Sequence, residues 1–363
     1  MKPFLPIPKT IAEISPAWLT ETLRRHGWIA QATVIAVESR AIGMAVGFLD
    51  GLAQLRLTYD QHETRAPASV VVKIPSTEGV YHQIGQRYHA YEREIRFYAE
   101  IASRSPIRLP CCFCGSMDAG TDAYLLMLED LSELTAGDQV QGLNPVQAQA
   151  AVETVGRFHA AWWEKPGLES FAWMPTRNIQ PDRYRRMWPR FRQLVGPHLP
   201  AAALALGDQL NIHLESLLDA LEQRPHTIVH SDFRADNMLF ADLAGPEPVV
   251  ILDWQLAIRS RGVLDVARLL CGSMASAERA ASEIDILRRW HDTLVKGGVR
   301  DYSIQEVVQD YQRGALLCLY FPVTIHEAEE AAGSRGVALA DAQIERFFTA
   351  ALELETESVL PKA

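Results

Sequence analysis

One stretch constrains this chain more than any other: Ile228 to Gln255, which reads IVHSDFRADNMLFADLAGPEPVVILDWQ. Met238-Leu239-Phe240 and Val249-Val250-Ile251-Leu252 are short apolar runs that predict two strands, joined by a turn carrying Gly245, Pro246 and Pro248. In an antiparallel hairpin the start of the first strand lies beside the end of the second. Asn237, just before the first run, and Asp253, just after the second, are therefore expected to meet at one end, with Asp232 on the loop leading in. A carboxylate and a carboxamide side by side, with a second carboxylate nearby, suit a hard cation such as Mg²⁺ that is shared with a phosphate. Asp232 is then free to accept a proton from an attacking hydroxyl. Taken singly, each of these residues is also an ordinary turn former. Taken together they form a phosphoryl-transfer layout.

Upstream, Ser15-Pro16 reads as an N-cap followed by proline at the first helical position, opening a helix that ends near Gly27. Apolar or alternating runs at Ala32 to Ser39, Gly47 to Tyr59, Val70 to Ile74, Leu109 to Cys114 and Tyr124 to Leu128 predict a five-stranded antiparallel sheet. Lys73 stands in the third run, Val70-Val71-Val72-Lys73-Ile74. An unpaired ammonium in such a strand is costly, so Lys73 either faces solvent at a sheet edge or has an acidic partner. The helix expected from about Tyr81 to Ser103 offers Glu92 and Glu94. Cys111 and Cys114 form a lone CxxC without a second pair or a nearby histidine, which favours small apolar strand residues over a metal or redox site.

The segment His230-Ser231-Asp232-Phe233-Arg234-Ala235-Asp236-Asn237, followed by Leu252-Asp253-Trp254, resembles the catalytic and metal-binding segments of the aminoglycoside phosphotransferase and choline kinase-like (ecdysteroid kinase-like) small-molecule kinases, whose fold is that of protein kinases. The resemblance runs by motif from about Val34 to Leu270 and implies an α+β, protein-kinase-like bilobal fold. A nucleotide-binding lobe over 1–128 would hold the five-stranded sheet and a helix. A mainly helical lobe over 129–363 would carry catalysis and bind the acceptor. By this resemblance Asp232 is the catalytic aspartate, and Asn237 and Asp253 bind Mg²⁺. Lys73, paired with Glu94 rather than Glu92, holds the nucleotide phosphates. Gly43 and Gly47 bracket the turn that covers those phosphates, and the backbone of Leu128, Glu129 and Asp130 meets adenine at the hinge. Asp265 ties its helix to the catalytic loop. Ser231, Trp254-Gln255 and a sparse glycine turn depart from the family pattern.

Only twelve positions separate Asp253 from Asp265, too few for the activation segment of a protein kinase. The implied reaction is transfer of the γ-phosphoryl group of ATP or GTP to a hydroxyl of a small molecule. The alternative is a kinase-like nucleotide-binding protein with weak catalysis; a metal-dependent hydrolase needs neither Lys73 nor a hinge. No G-x-S-x-G, Walker A or H-E-x-x-H motif is present. A net charge of −10 argues against nucleic acid or an anionic membrane as partner. The apolar stretch Leu316 to Ile325 is too short to span a bilayer, and the proline-rich start lacks a signal-peptide centre. Five cysteines fit a reduced, cytoplasmic monomer or homodimer rather than a disulfide framework. His159, on the apolar stripe of Val152, Val155 and Phe158, reads as a core histidine. Trp173, Tyr184, Trp188 and Phe191 either wall an acceptor site or pack the core, and Glu327, Glu329 and Glu330 form an acidic turn.

Overall fold

The computed structural model describes residues 5–42, 51–75, 85–118, 120, 123–331 and 333–360, without the side chains of 327–331. Gly43 and Gly47, and the side chains of Glu327, Glu329 and Glu330, thus lie outside the described residues. The chain forms two compact units. One is Met1–Arg104 with Leu109–Glu133, and the other is Ser105–Arg108 with Leu134–Ala363.

In the first unit, Ser15 caps the helix Pro16–Arg25 by accepting from the Trp18 amide, and Gly27 ends it at φ +72°, a left-handed conformation that glycine adopts without a Cβ clash. Five strands follow, β1 (Val34–Ala41), β2 (Leu52–Tyr59), β3 (Ser69–Lys73), β4 (Cys112–Asp118) and β5 (Ala123–Glu129). They pair antiparallel in the order β1-β2-β3-β5-β4. β4 starts three residues later than the apolar pattern suggests, because Pro110 has no N–H to give a ladder. β3 is interior, so a solvent-facing edge lysine is excluded for Lys73, which pairs in register with Leu52 on β2 and Leu126 on β5. Leu19, Leu23, Leu55, Val70, Val72, Phe113, Leu125 and Met127 fill the core between the first helix and the sheet.

The helix expected over Tyr81 to Ser103 is not continuous in its described part. His89 adopts φ +50°, and the helix restarts as Ala90–Arg96, widens to a π-helical turn at Phe97–Ile101 and tightens to a 3₁₀ turn at Ala102–Arg104. π-helical turns of this kind are rare.

The second unit is mainly helical: Pro145–Trp162, Pro181–Leu194, Ala201–Leu221, Val263–Ser273, Ser276–Lys296, Ile304–Leu317, Tyr320–Ala331 and Ser334–Glu353. Asn144 and Gln147 form a reciprocal capping box at the first of these. Two small sheets lie among the helices. β6 (Thr135–Ala136), β8 (Met238–Phe240) and β9 (Val249–Ile251) make one, and β7 (Thr227–Val229) pairs with β10 (Ile258–Ser260) in the other. Tyr184, Trp188 and Phe191 stack in series, ending on Phe348 at ring separations of 5.8 to 5.9 Å. All are buried, so these aromatics are core; Trp173 is half-buried. Among the described residues no helix is long and apolar enough to cross a membrane.

Candidate active site

The predicted hairpin forms as the apolar runs require. Met238 faces Ile251 across β8 and β9, and the Leu252 amide donates to the Asn237 carbonyl at 2.9 Å, which fixes Asn237 and Asp253 at the same end. Asp253 adopts φ +64°, and its carboxylate accepts from Gln255 Nε2 at 3.0 Å. Asn237 Nδ2 donates to the Asp232 carbonyl at 2.9 Å and to Asp232 Oδ2 at 3.1 Å. With its nitrogen committed to Asp232, the Asn237 carboxamide turns its oxygen the other way, the atom a hard cation would take. Among the described residues no group of three or more His, Cys, Asp or Glu side chains forms a metal cage. One carboxylate and one carboxamide oxygen instead suit Mg²⁺ that keeps water and phosphate oxygens as its other ligands.

Asp232 is held from both sides. Arg268 Nη2 lies 3.2 Å from Oδ1 and Arg234 Nε lies 3.3 Å from Oδ2. Burial raises the pKa of this carboxyl, but the charges of Arg234 and Arg268 outweigh it and bring it down to about 2. The group is thus a carboxylate at any physiological pH, with a side chain that is 19% exposed. The network extends outward. Arg234 also binds Asp236, and Arg335 from the last long helix binds both Asp236 and Asp138.

Asp265, His230 and Trp254 brace the Asp232 loop. Asp265, fully buried at the start of the helix Val263–Ser273, accepts from the amides of His230 (2.7 Å) and Ser231 (2.8 Å) and contacts His159 Nε2 at 3.1 Å. Its role is structural, and His159, which also accepts from Trp290 Nε1, is a core histidine. His230 is a brace too: Nε2 donates to the Leu252 carbonyl at 2.7 Å while Nδ1 accepts from the Asp232 amide at 3.3 Å. Trp254 packs 4.7 Å from the His230 ring and 4.7 Å from Phe158, filling the space beside the Asp253 turn.

The segment after β6 supports the loop from beneath. Gln139, fully buried, accepts from the Ala235 amide, receives the Ser273 hydroxyl and donates to the Gly272 carbonyl. Gly137 leaves room for this approach, since a Cβ there would stand 2.3 Å from the Ala235 oxygen. Sequence reasoning missed Gln139, Arg335 and Asn178, which reach the loop over long separations. Arg268 had a readable signal, a charge inside the apolar run Val266-Ala267-Arg268-Leu269-Leu270.

In the first unit, Lys73 Nζ lies 2.7 Å from Glu94 Oε2, which also accepts from the Tyr124 hydroxyl at 3.0 Å. Both partners of the pair are buried. Glu92 instead pairs with Arg96 on the outer face, so the choice between the two glutamates is resolved by burial. At the expected adenine contact, Leu128 and Glu129 end β5, and the Glu129 amide already donates to the Cys111 carbonyl at 2.8 Å. The Asp130 carboxylate is taken up by Gln54 and the Ser132 amide. All five cysteines are free.

The profile of the phosphotransferase enzyme family matches residues 53–317. Among curated proteins, the chain is 27% identical over 187 residues to acyl-CoA dehydrogenase family member 10 of Mus musculus; the match covers 49% of this chain but only 16% of that protein. Among solved structures, choline kinase from Cryptosporidium parvum Iowa II superposes with a TM-score of 0.56 at 12% identity, covering 90% of this chain and 91% of that one. The GDP complex of aminoglycoside 2′-phosphotransferase-IIIa superposes with a TM-score of 0.51 at 13% identity, covering 92% and 99%. These likenesses establish an α+β, kinase-like fold.

Proposed function

The chain belongs to the phosphotransferase enzyme family, and from that premise we propose that it transfers the γ-phosphoryl group of ATP or GTP to a hydroxyl of a small molecule. The observation that carries this reading is the catalytic loop. Asp232 is kept as a partly exposed carboxylate by Arg234 and Arg268, and its neighbour Asn237 is locked to Asp253 through the hairpin.

In this reading the acceptor hydroxyl donates to Asp232, which aligns its oxygen with the γ-phosphorus and takes the proton as the new P–O bond forms and the β–γ bridge bond breaks. Lys73, fixed by Glu94, meets the nucleotide phosphates with its ammonium. Asn237 and Asp253 would hold Mg²⁺, which when bound offsets the charge gathering on the transferring and leaving oxygens. His230 and Asp265 keep the loop in shape and take no proton. The short link from Asp253 to Asp265 leaves the acceptor side to the helices of the second unit.

Two measurements test this. Calorimetric titration with ATP and with GTP, each with and without Mg²⁺, is expected to show Mg²⁺-dependent binding of at least one. A panel of hydroxylated compounds, including aminoglycosides, macrolides, steroids and choline, is then scored by nucleoside diphosphate formation. Absence of Mg²⁺-dependent nucleotide binding refutes the reading. Binding without acceptor-stimulated turnover by any member of a broad panel reduces it to a nucleotide-binding protein.

A further inference from the structure

Two residues beside the chemistry adopt the left-handed backbone conformation without being glycine: Ser231 at φ +71° and Asp253 at φ +64°. Such a backbone is costly for a residue with a Cβ and persists only where its surroundings hold it. For Ser231 part of the restraint lies on the segment that leads into the helix Pro181–Leu194. Asn178 Nδ2 donates to Ser231 Oγ at 3.0 Å and to the carbonyl of Leu256 at 2.7 Å. Leu256 closes the 3₁₀ turn capped by Asp253. One carboxamide nitrogen, using both its hydrogens, thus ties the loop of the catalytic aspartate to the loop of the proposed metal-binding aspartate. The carboxamide orientation is fixed, because the Leu256 carbonyl can only accept.

The segment that presents Asn178 is itself anchored. The Pro175 carbonyl accepts from the Arg259 amide at 2.8 Å and the Met174 carbonyl from Arg259 Nε at 2.9 Å, pinning it to β10. Two residues after Asn178, the Gln180 amide donates to the Tyr320 hydroxyl oxygen at 3.3 Å, and Arg183 donates to the Thr324 carbonyl at 2.7 Å. Asn178 is therefore a fixed point.

We propose that Asn178 is a positioning residue for phosphoryl transfer, a clamp that sets the placement of Asp232 relative to Asp253 through Ser231 and Leu256. In-line transfer depends on placing the acceptor oxygen and the metal-bound phosphate within tenths of an ångström of their reacting geometry. The hydrogen bonds through Asn237 and His230 join the two loops on one side, and Asn178 joins them from the segment ahead of Pro181. The inference rests on the phosphotransferase reading for its kinetic consequence and on the structure alone for the clamp.

The test compares wild type with Asn178→Ala and Ser231→Ala in the full chain. Amide hydrogen exchange is expected to quicken about 10-fold in peptides covering 229–233 and 253–258, the effect of losing about two modest hydrogen bonds. Exchange in the helix Ser276–Lys296 should not change. Where wild type forms ADP from Mg²⁺–ATP, Asn178→Ala should lower that rate about 10-fold with nucleotide Kd within threefold. On an Asp232→Asn background the same change should cost less than twofold, because its effect runs through Asp232. Unaltered exchange in both loops overturns the clamp. A rate loss that is fully retained on the Asp232→Asn background, or exchange that quickens across the whole unit, makes Asn178 merely structural and also overturns it. Absence of nucleotide binding in wild type counts against the phosphotransferase reading, while the exchange comparison still decides the clamp.

Discussion

Replacing Lys73 by Met tests the buried pair in the first unit. From sequence alone, the change removes a charge at nearly constant stem volume and leaves stability much as it was. Burial reverses that expectation. Glu94 has a side chain only 1% exposed, and the variant strips it of an ammonium at 2.7 Å while leaving the Tyr124 hydroxyl bond at 3.0 Å. Removing one member of a buried ion pair costs about 3–5 kcal/mol. The surviving Tyr124 bond places the cost near the lower end, about 3 kcal/mol. A unit of about 130 residues unfolds with an entropy of about 2.1 cal/mol/K per residue, so its melting temperature should fall by roughly 10 °C. Adding Glu94→Gln keeps an acceptor for Tyr124 and removes the stranded charge, so the double variant should regain most of that loss. Turnover should stay about 10²-fold down in both, since neither restores the ammonium at the phosphates. Scanning calorimetry of the three proteins, with nucleotide titrations alongside, is the assay. A single variant melting within about 1 °C of wild type, or a double variant no more stable than the single one, would refute the reasoning.

Asp253→Ala should remove Mg²⁺-dependent turnover, by about 10²-fold or more, while the far-ultraviolet circular dichroism stays unchanged; a Mg²⁺ titration of ADP formation checks this. Gly137→Ala forces a Cβ to 2.3 Å from the Ala235 oxygen and should destabilise the protein by about 1–3 kcal/mol in urea unfolding, with turnover falling in step. Asp265→Asn exchanges a buried carboxylate that accepts from two loop amides and should cost about 3 kcal/mol in the same assay, with faster proteolysis around Ser231. Asp232, held at about 2 against an ordinary 3.8, adds stability that is present above pH 4 and lost as pH falls through 2, so the pH–rate profile should show no acid limb from it above pH 4. Arg268→Leu should bring that limb upward into the measurable range.

The legible parts of the structure were those with a local chemical pattern. The hairpin of β8 and β9 could be read because two apolar runs and a proline–glycine turn fix its register, and register alone sets Asn237 beside Asp253. Lys73 could be expected to need an acidic partner because an ammonium in an apolar strand is costly, while the choice of Glu94 over Glu92 came from the family resemblance. The helix before β4 is less regular in its described part than the apolar spacing suggests, since the left-handed His89 and the π-helical turn leave no mark in that spacing. The stacked Tyr184, Trp188 and Phe191 could be core or pocket by pattern, and only their burial decided for core. Gln139 and Asn178 were illegible for a different reason: each acts on loops dozens of residues away through one carboxamide, and a polar residue in a connecting segment looks like any other.

The field around Asp232 bears on how its chemistry should be described. A general base works best with a pKa near the working pH, and a carboxylate lowered to about 2 is a weak one. Arg234 and Arg268 thus act against basicity, yet they also take up both oxygens and leave the side chain few orientations. That exchange is favourable if the transition state is loose, because the acceptor hydroxyl then keeps its proton until the phosphoryl group is largely transferred and needs alignment more than deprotonation. Asp232→Asn preserves the shape and one acceptor oxygen. Its cost should therefore lie near 10², the low end of the range for a positioned base, with nucleotide affinity nearly unchanged. A loss near 10⁴ would mean that proton removal limits the reaction despite the arginines, and the loop would have to be read as a base held in reserve by its neighbours rather than as a guide for the incoming oxygen.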